Sequence, residues 1–403
     1  MAATSSRASV LMLLTAAQAA ASVVQQGFGS LAPFLIKEFG LSHAQVGLSF
    51  SIILGGAVFT TALAGVVVDR FGERKMILWS GVGMGAALVM SSAVANFTWL
   101  LFWLLIFGVG YSSSTPAGGR AILVWFTRDR GFAMGVRQTG VSIGGFIGAL
   151  YLPAAALAGG YRFALLTAGI MCAAVCACAA LLYQEAGDIR PPTISTRALL
   201  RSTLALVKDP RLIATTLSCM ILMCSQQAVL SFMVTAMGSQ LGVQIAVAAL
   251  ALSFVQLGAI AGRMFWGWVS DRFFGGDRMI VMVVLCVVVA GSTIMLSYVR
   301  PGFVVIAYAL ALVFGFSGAS WNGLFATVLS EVAGPHLAGS ALGVGLTFIF
   351  LTAFVWPPFY GRIVDMHGFA FAWRVLSVIA LTGIPMALIA RAFIRADPPA
   401  RHT

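Results

Sequence analysis

Apolar runs long enough to cross a bilayer alternate with short polar or Gly/Pro breaks along the whole chain. They fall at roughly 9–36, 46–68, 76–95, 98–126, 132–157, 163–183, 211–238, 244–268, 279–298, 302–330, 338–361 and 370–393, each close to the ~20 residues that a membrane helix needs. Twelve such segments predict an all-α polytopic membrane protein of twelve transmembrane helices. The first run continues past Ala19-Ala20-Ala21 to Ile36, too long for a signal peptide, so it is read as a retained helix. Between the sixth and seventh runs, Gln184 to Arg211 is polar, basic and interrupted by Pro191-Pro192. That break predicts an N-terminal six-helix bundle over 1–183, a cytoplasmic linker over 184–210 and a C-terminal six-helix bundle over 211–403.

The two halves echo each other at an offset of 202 residues. Gly65-x-x-x-Asp69-Arg70 recurs as Gly267-x-x-x-Asp271-Arg272, Asp129 corresponds to Glu331, and Gln25 corresponds to Gln227. A repeat of six helices that keeps its orientation implies two pseudo-symmetric bundles about an axis along the membrane normal, with substrate handled near the midplane.

Composition sharpens this picture. Of 403 residues 60% are hydrophobic and 9% charged, against roughly 25% charged in soluble domains. The net charge of +12 needs no nucleic acid to explain it. With both termini placed in the cytoplasm, sixteen Lys/Arg fall inside and five outside, the bias that orients membrane proteins. The expected location is a plasma membrane, the bacterial inner membrane, crossed many times. All six cysteines lie in predicted helices without zinc-ligand spacing, so no metal and no cofactor is expected. No nucleophile–base set or phosphate loop occurs, which argues against an enzyme.

The run Gly65-Val66-Val67-Val68-Asp69-Arg70-Phe71-Gly72-Glu73-Arg74 resembles the signature loop of the major facilitator superfamily, G-x-x-x-D-R-x-G-R-R, with Glu73 in place of the first closing arginine. The resemblance implies a latch at the cytoplasmic ends of the helices, made by Asp69, Arg70, Arg74, Asp129 and Arg130 in one half and Asp271, Arg272 and Glu331 in the other. Arg120, five residues before Trp125-Phe126 and followed by Asp129-Arg130-Gly131, is similar to a pattern of the anion:cation symporter branch, near the monocarboxylate porters. Here Thr127 stands for the branch's proline, and Gln25-Gln26 stand where it carries an acid beside an arginine. Gly140-Val141-Ser142-Ile143-Gly144-Gly145 lacks the proline of the drug-antiporter signature. Gly140, Gly144 and Gly148, and likewise Gly339 and Gly343, are spaced as close-packing helix surfaces.

Three arginines, Arg120, Arg137 and Arg263, fall within the apolar runs, and no Asp or Glu does. An ionised side chain at the bilayer centre costs ~2.5–3.5 kcal/mol or more, so each is a functional candidate, although Arg263, about five residues from the inner end of its run, is read as structural, near the latch. Arg120 and Arg137 lie at similar depths on consecutive antiparallel helices, and paired guanidinium forks suit carboxylate oxygens. Snorkelling to the headgroups is the alternative. Gln25 and Gln26 sit near the middle of the first run and Gln226 and Gln227 near that of the seventh. Tyr111 and Trp321-Asn322 occupy comparable places in the fourth and tenth, and the resemblance implies that these four helices line a cavity. The expectation is a secondary active transporter, working by alternating access, that takes up a small organic anion such as a monocarboxylate or sugar acid, with protons as a candidate coupling ion. It is expected to be a monomer in the lipid bilayer. Export of a drug-like or siderophore-like compound is the alternative.

Overall fold

The computed structural model describes residues 6–126, 130–184, 206–334 and 337–397, and every regular element among them is helical. A helix satisfies its backbone hydrogen bonds internally, which a segment in hydrocarbon requires. In order the helices are α1 (Arg7–Gly27), α2 (Ala32–Phe39), α3 (His43–Phe71), α4 (Glu73–Ala93), α5 (Phe97–Ser112), α6 (Ser114–Trp125) and α7 (Arg130–Leu182). They continue as α8 (Pro210–Leu241), α9 (Ile245–Phe273), α10 (Arg278–Leu296), α11 (Val304–Gly318), α12 (Asn322–Ala333) and α13 (Ala338–Ala396).

Nine stretches of the described residues are long and apolar enough to cross a membrane. Two of them, 50 and 58 residues long, would each exceed about 70 Å as a single rod, against a hydrocarbon core of about 30 Å. Both turn back instead. The backbone leaves helical geometry at Gly159 and Gly160 in α7, and at Gly368 in α13. Gly160 (φ 75°) and Gly368 (φ 76°) adopt left-handed angles that a side chain would strain. Each stretch is therefore two crossings, and with the 29-residue α3 the described residues hold twelve, as the apolar pattern predicts.

Three crossings predicted as continuous are broken. The first passes from α1 through a 3₁₀ turn, Phe28–Leu31, into α2, directly after Gln25 and Gln26. The fourth breaks at Ser113 between α5 and α6, and the tenth over residues 319–321 between α11 and α12. Serine hydroxyls at the latter two breaks bond back to the preceding turn, Ser112 Oγ to Val109 O (2.7 Å) and Ser320 Oγ to Phe316 O (2.7 Å). Such back-bonding competes with the helix ladder, and Pro116 withholds a further amide donor in the fourth crossing. The breaks fall on the polar residues singled out in the sequence.

Helix contacts are set by glycine. A Cβ on Gly140, Gly144 or Gly148 of α7 would lie 2.7, 2.2 or 2.1 Å from the carbonyls of Thr15, Ala19 and Val23 on α1. The predicted stripe is thus a seam along which two backbones touch. Gly56 of α3 meets Leu105 O of α5 in the same manner (2.5 Å), and Gly258 of α9 meets Leu312 O of α11 (2.2 Å). Gly56 and Gly258 are one repeat length apart, so the internal repeat extends to packing. Gly339 and Gly343 depart from expectation, since a Cβ on either would meet nothing within 4 Å. Many large apolar side chains are exposed, among them Trp79, Trp99, Leu181, Leu182, Trp268 and Val305, as a lipid-facing surface requires.

By internal contacts the chain divides into two compact units. One comprises Met1–Pro191, Leu230–Thr235 and Gln244–Ser253, and the other Pro192–Val229, Ala236–Val243 and Phe254–Thr403. Most of the expected linker, residues 185–205, lies outside the described residues.

Candidate functional site

In the first unit the seam between α1 and α7 and the break between α5 and α6 bring five polar side chains together. Gln18 and Ser22 lie one turn apart on α1, both buried, and Gln18 Nε2 donates to Ser22 Oγ (3.2 Å). Ser22 Oγ stands 3.5 Å from the Tyr111 hydroxyl at the end of α5. Gln18 Oε1 accepts from Ser114 Oγ (2.8 Å) and from Arg137 Nη2 (2.6 Å). Arg137 Nη2 donates also to the Ser114 carbonyl (2.5 Å). Space for the guanidinium comes from Gly118 on α6, where a Cβ would lie 2.0 Å from Arg137 Nε.

Arg137 is 1% exposed, and its Nη1 has no hydrogen-bond partner. None of the ion pairs among the described residues involves it. Burying a charge is costly unless it is paired, and the described partners of this guanidinium are a side-chain amide and a backbone carbonyl, both neutral. Snorkelling does not describe a side chain buried to this degree.

Both glutamine pairs are buried. Gln25 and Gln26 are 9% and 8% exposed, and Gln25 Oε1 has no hydrogen-bond partner. In the second unit Gln226 Oε1 accepts from Trp321 Nε1 (3.0 Å), which closes the break between α11 and α12 against α8. Trp321 is fully buried edge-on to Phe325, Gln227 is buried beside Gln226, and Asn322 is half-buried at the start of α12.

Arg120 has a different environment. Its Nε lies 3.2 Å from a carboxylate oxygen of Glu73, and its Nη1 donates to Val68 O (2.9 Å). The Glu73 carboxylate also accepts from the Tyr183 hydroxyl (2.8 Å), which Trp125 Nε1 approaches at 3.2 Å. Four helix ends, those of α3, α4, α6 and α7, thus meet around one acid. The sequence count left Glu73 outside the membrane because it precedes the apolar run, yet its side chain is only 5% exposed.

Among the other rim residues, Arg74 donates to the carbonyls of Ala180 (2.9 Å) and Leu181 (3.5 Å), capping the C-terminal end of α7. Arg70 is exposed, its guanidinium 5.4 Å from the Phe71 ring centroid. Asp129 lies outside the described residues, and nothing is described of the side chains of Asp69 and Arg130. In the second unit the acids Asp271 and Glu331 do converge, on Arg278 (3.4 and 2.9 Å), while Arg272 is exposed. Sequence reasoning passed over Arg278 because it lies past the end of the motif. Gln18 carries no sequence signal, being a single amide near the start of the first run and unmatched by the repeat, and nothing in sequence marks Gly118 as a seat for a side chain from another helix.

Residues 14–357 match the family model of the Major Facilitator Superfamily. The chain is 28% identical over 380 residues to the MFS-type transporter Rv2994 of Mycobacterium tuberculosis, covering 94% of this chain and 82% of that protein. A shorter match, 28% identity over 34% of this chain and 32% of the relative, is to the probable sulfoacetate transporter SauU of Cupriavidus necator. The agnestins efflux protein AgnL12 of Paecilomyces divaricatus is 24% identical over 83% of this chain and 75% of its own length. Among solved structures, a bacterial homologue of the human lysosomal transporter Spinster, inward-facing and occupied, superposes with a TM-score of 0.78 at 17% identity, covering 97% of this chain and 96% of that one. At that identity the likeness is one of fold.

Proposed function

Because the chain belongs to the Major Facilitator Superfamily, and so is a multi-pass membrane transporter by family, we propose that its cargo is a small organic anion, a monocarboxylate or sugar acid, taken up across the bacterial plasma membrane. The observation that carries this reading is Arg137, a buried guanidinium whose described partners are all neutral and whose Nη1 is unpartnered. Such a charge favours binding of an anion over a cation or a neutral molecule, and in a low-dielectric site the preference is strong. The SauU resemblance agrees with an anionic cargo. Gln25, Gln26 and Tyr111 in the first unit are neutral polar and aromatic groups suited to the remainder of a small ligand, and Gln226, Gln227, Trp321 and Asn322 in the second are candidates of the same chemistry. Arg120 contributes to anion binding only when its pair with Glu73 opens. Asp271, Glu331 and Arg278 form a contact at helix ends of the second unit that breaks and re-forms as access alternates, Arg272 acts beside them, and Asp69, Arg70, Arg74, Asp129 and Arg130 act at helix ends of the first unit.

The test is uptake of labelled lactate, gluconate and benzoate into proteoliposomes, with and without an imposed pH gradient. Saturable flux that falls at least ~10-fold in Arg137→Gln supports the reading, that being the loss expected when a buried charged contact to substrate is removed. Acceleration by an inward proton gradient identifies protons as the coupling ion. Flux indifferent to Arg137, or none from any of the three, overturns it in favour of export of a drug-like compound, the direction of transport named for AgnL12.

A further inference from the structure

A guanidinium inside a helix bundle is ordinarily held by a carboxylate, because an uncompensated buried charge is among the costliest features a fold can carry. Arg120 follows that rule through Glu73, and Arg137 does not. The groups around Arg137 are the amide of Gln18, the carbonyl of Ser114 and the bare α-carbon of Gly118. Glutamine and glutamate have the same shape, so a carboxylate would fit at position 18 with no change of packing, and it would neutralise Arg137 permanently. The amide is held at both ends. Its oxygen accepts from Arg137 and Ser114, and its nitrogen donates to Ser22, so it cannot swing away from the guanidinium without losing three hydrogen bonds.

We infer that Gln18 is the positioning residue that keeps Arg137 oriented but uncompensated, and that the site it maintains takes a cargo bearing a single carboxylate. This rests on the anion reading above. Nη2 is committed to Gln18 and Ser114, which leaves Nη1 for an oxygen of the cargo. One positive charge neutralises one negative charge. A dicarboxylate would bring a second charge into surroundings of amide, hydroxyl and apolar groups, where an unpaired ion is strongly disfavoured.

The experiment compares wild type, Gln18→Glu and Gly118→Ala, reading both melting temperature in detergent and flux of labelled lactate, benzoate and succinate in proteoliposomes. Gln18→Glu is expected to melt above wild type, because Arg137 gains a counter-charge, while its monocarboxylate flux falls at least ~10-fold. A purely structural glutamine would not move the two readouts in opposite directions. Gly118→Ala changes no charge but drives the guanidinium from its seat, and is expected to raise KM for lactate or benzoate ~10-fold without raising the melting temperature. Gln18→Glu that melts at or below wild type, or that carries monocarboxylates at the wild-type rate, overturns the inference, as does wild-type flux of succinate equal to that of lactate and benzoate. If wild type carries none of the three while Gln18→Glu still melts higher, the anion reading of the cargo fails and the uncompensated charge held by Gln18 stands. Should Gln18→Glu fail to accumulate, unchanged KM in Gly118→Ala is enough to overturn the inference.

Discussion

Glu73 shows how a single atom set can reverse a residue's meaning. At position 73 the signature loop ordinarily carries a positive charge, and here a carboxylate sits there, 5% exposed and 3.2 Å from Arg120. Removing one member of a buried pair strands the other, so Glu73→Gln is expected to destabilise the protein by about 3–5 kcal/mol. Asp271, with a side chain 68% exposed, belongs to another regime, and Asp271→Asn is expected to cost no more than ~1 kcal/mol. Thermal melts of the two variants side by side check the contrast. The contrast follows from burial: the Glu73 carboxylate is shut away from water and that of Asp271 is not. The sequence displayed the exchange of charge at position 73 but not its consequence, because Arg120 and Tyr183 arrive there only through tertiary packing, from 47 and 110 residues along the chain. Arg137 was legible as a charge in an apolar run. Its isolation was not, since the neutrality of a side chain's neighbours is a property of three dimensions.

The helices are best understood through the places where they touch and where they break. The spacing of Gly140, Gly144 and Gly148 announced a contact surface, and α1 supplies the partner backbone. Identical spacing at Gly339 and Gly343 leads to open space, so glycine periodicity states what a helix permits and not what its neighbour does. Gly148→Ala should therefore push α1 and α7 apart and lower stability by about 1–3 kcal/mol, the usual range for overpacking, whereas Gly343→Ala should be neutral or slightly stabilising through helix propensity. Melting temperatures in detergent check both. Apolar runs located the crossings well because hydrophobicity survives averaging over twenty residues. The breaks at Ser113 and at 319–321 were missed because a few serines in a long apolar run barely alter that average, although hydrogen bonding to the preceding turn is what opens the helix.

For the molecule as a whole, the count of crossings and the internal repeat were readable from the chain, since both rest on patterns that recur many times. Orientation rests on the distribution of Lys and Arg alone. The expected outcome is that a cysteine introduced at Ser42, in the turn after α2, reacts with a membrane-impermeant maleimide added to intact cells, while one at Gly276, in the turn after α9, reacts only after lysis. The opposite pattern would invert the topology. The seam between α1 and α7 also bears on how the protein is made. Gln18 and Arg137 stand 119 residues apart, so at synthesis rates of about 5–20 residues per second the first helix leaves the ribosome roughly 6–24 s before its partner. During that interval the Gln18 amide oxygen lacks the Arg137 donor, and a backbone face shaped for glycine contacts has no mate. An amide without a partner is poorly soluble in lipid. The nascent first helix is therefore a natural client for the insertion machinery, to be sheltered at the translocon until the fifth crossing arrives to claim it.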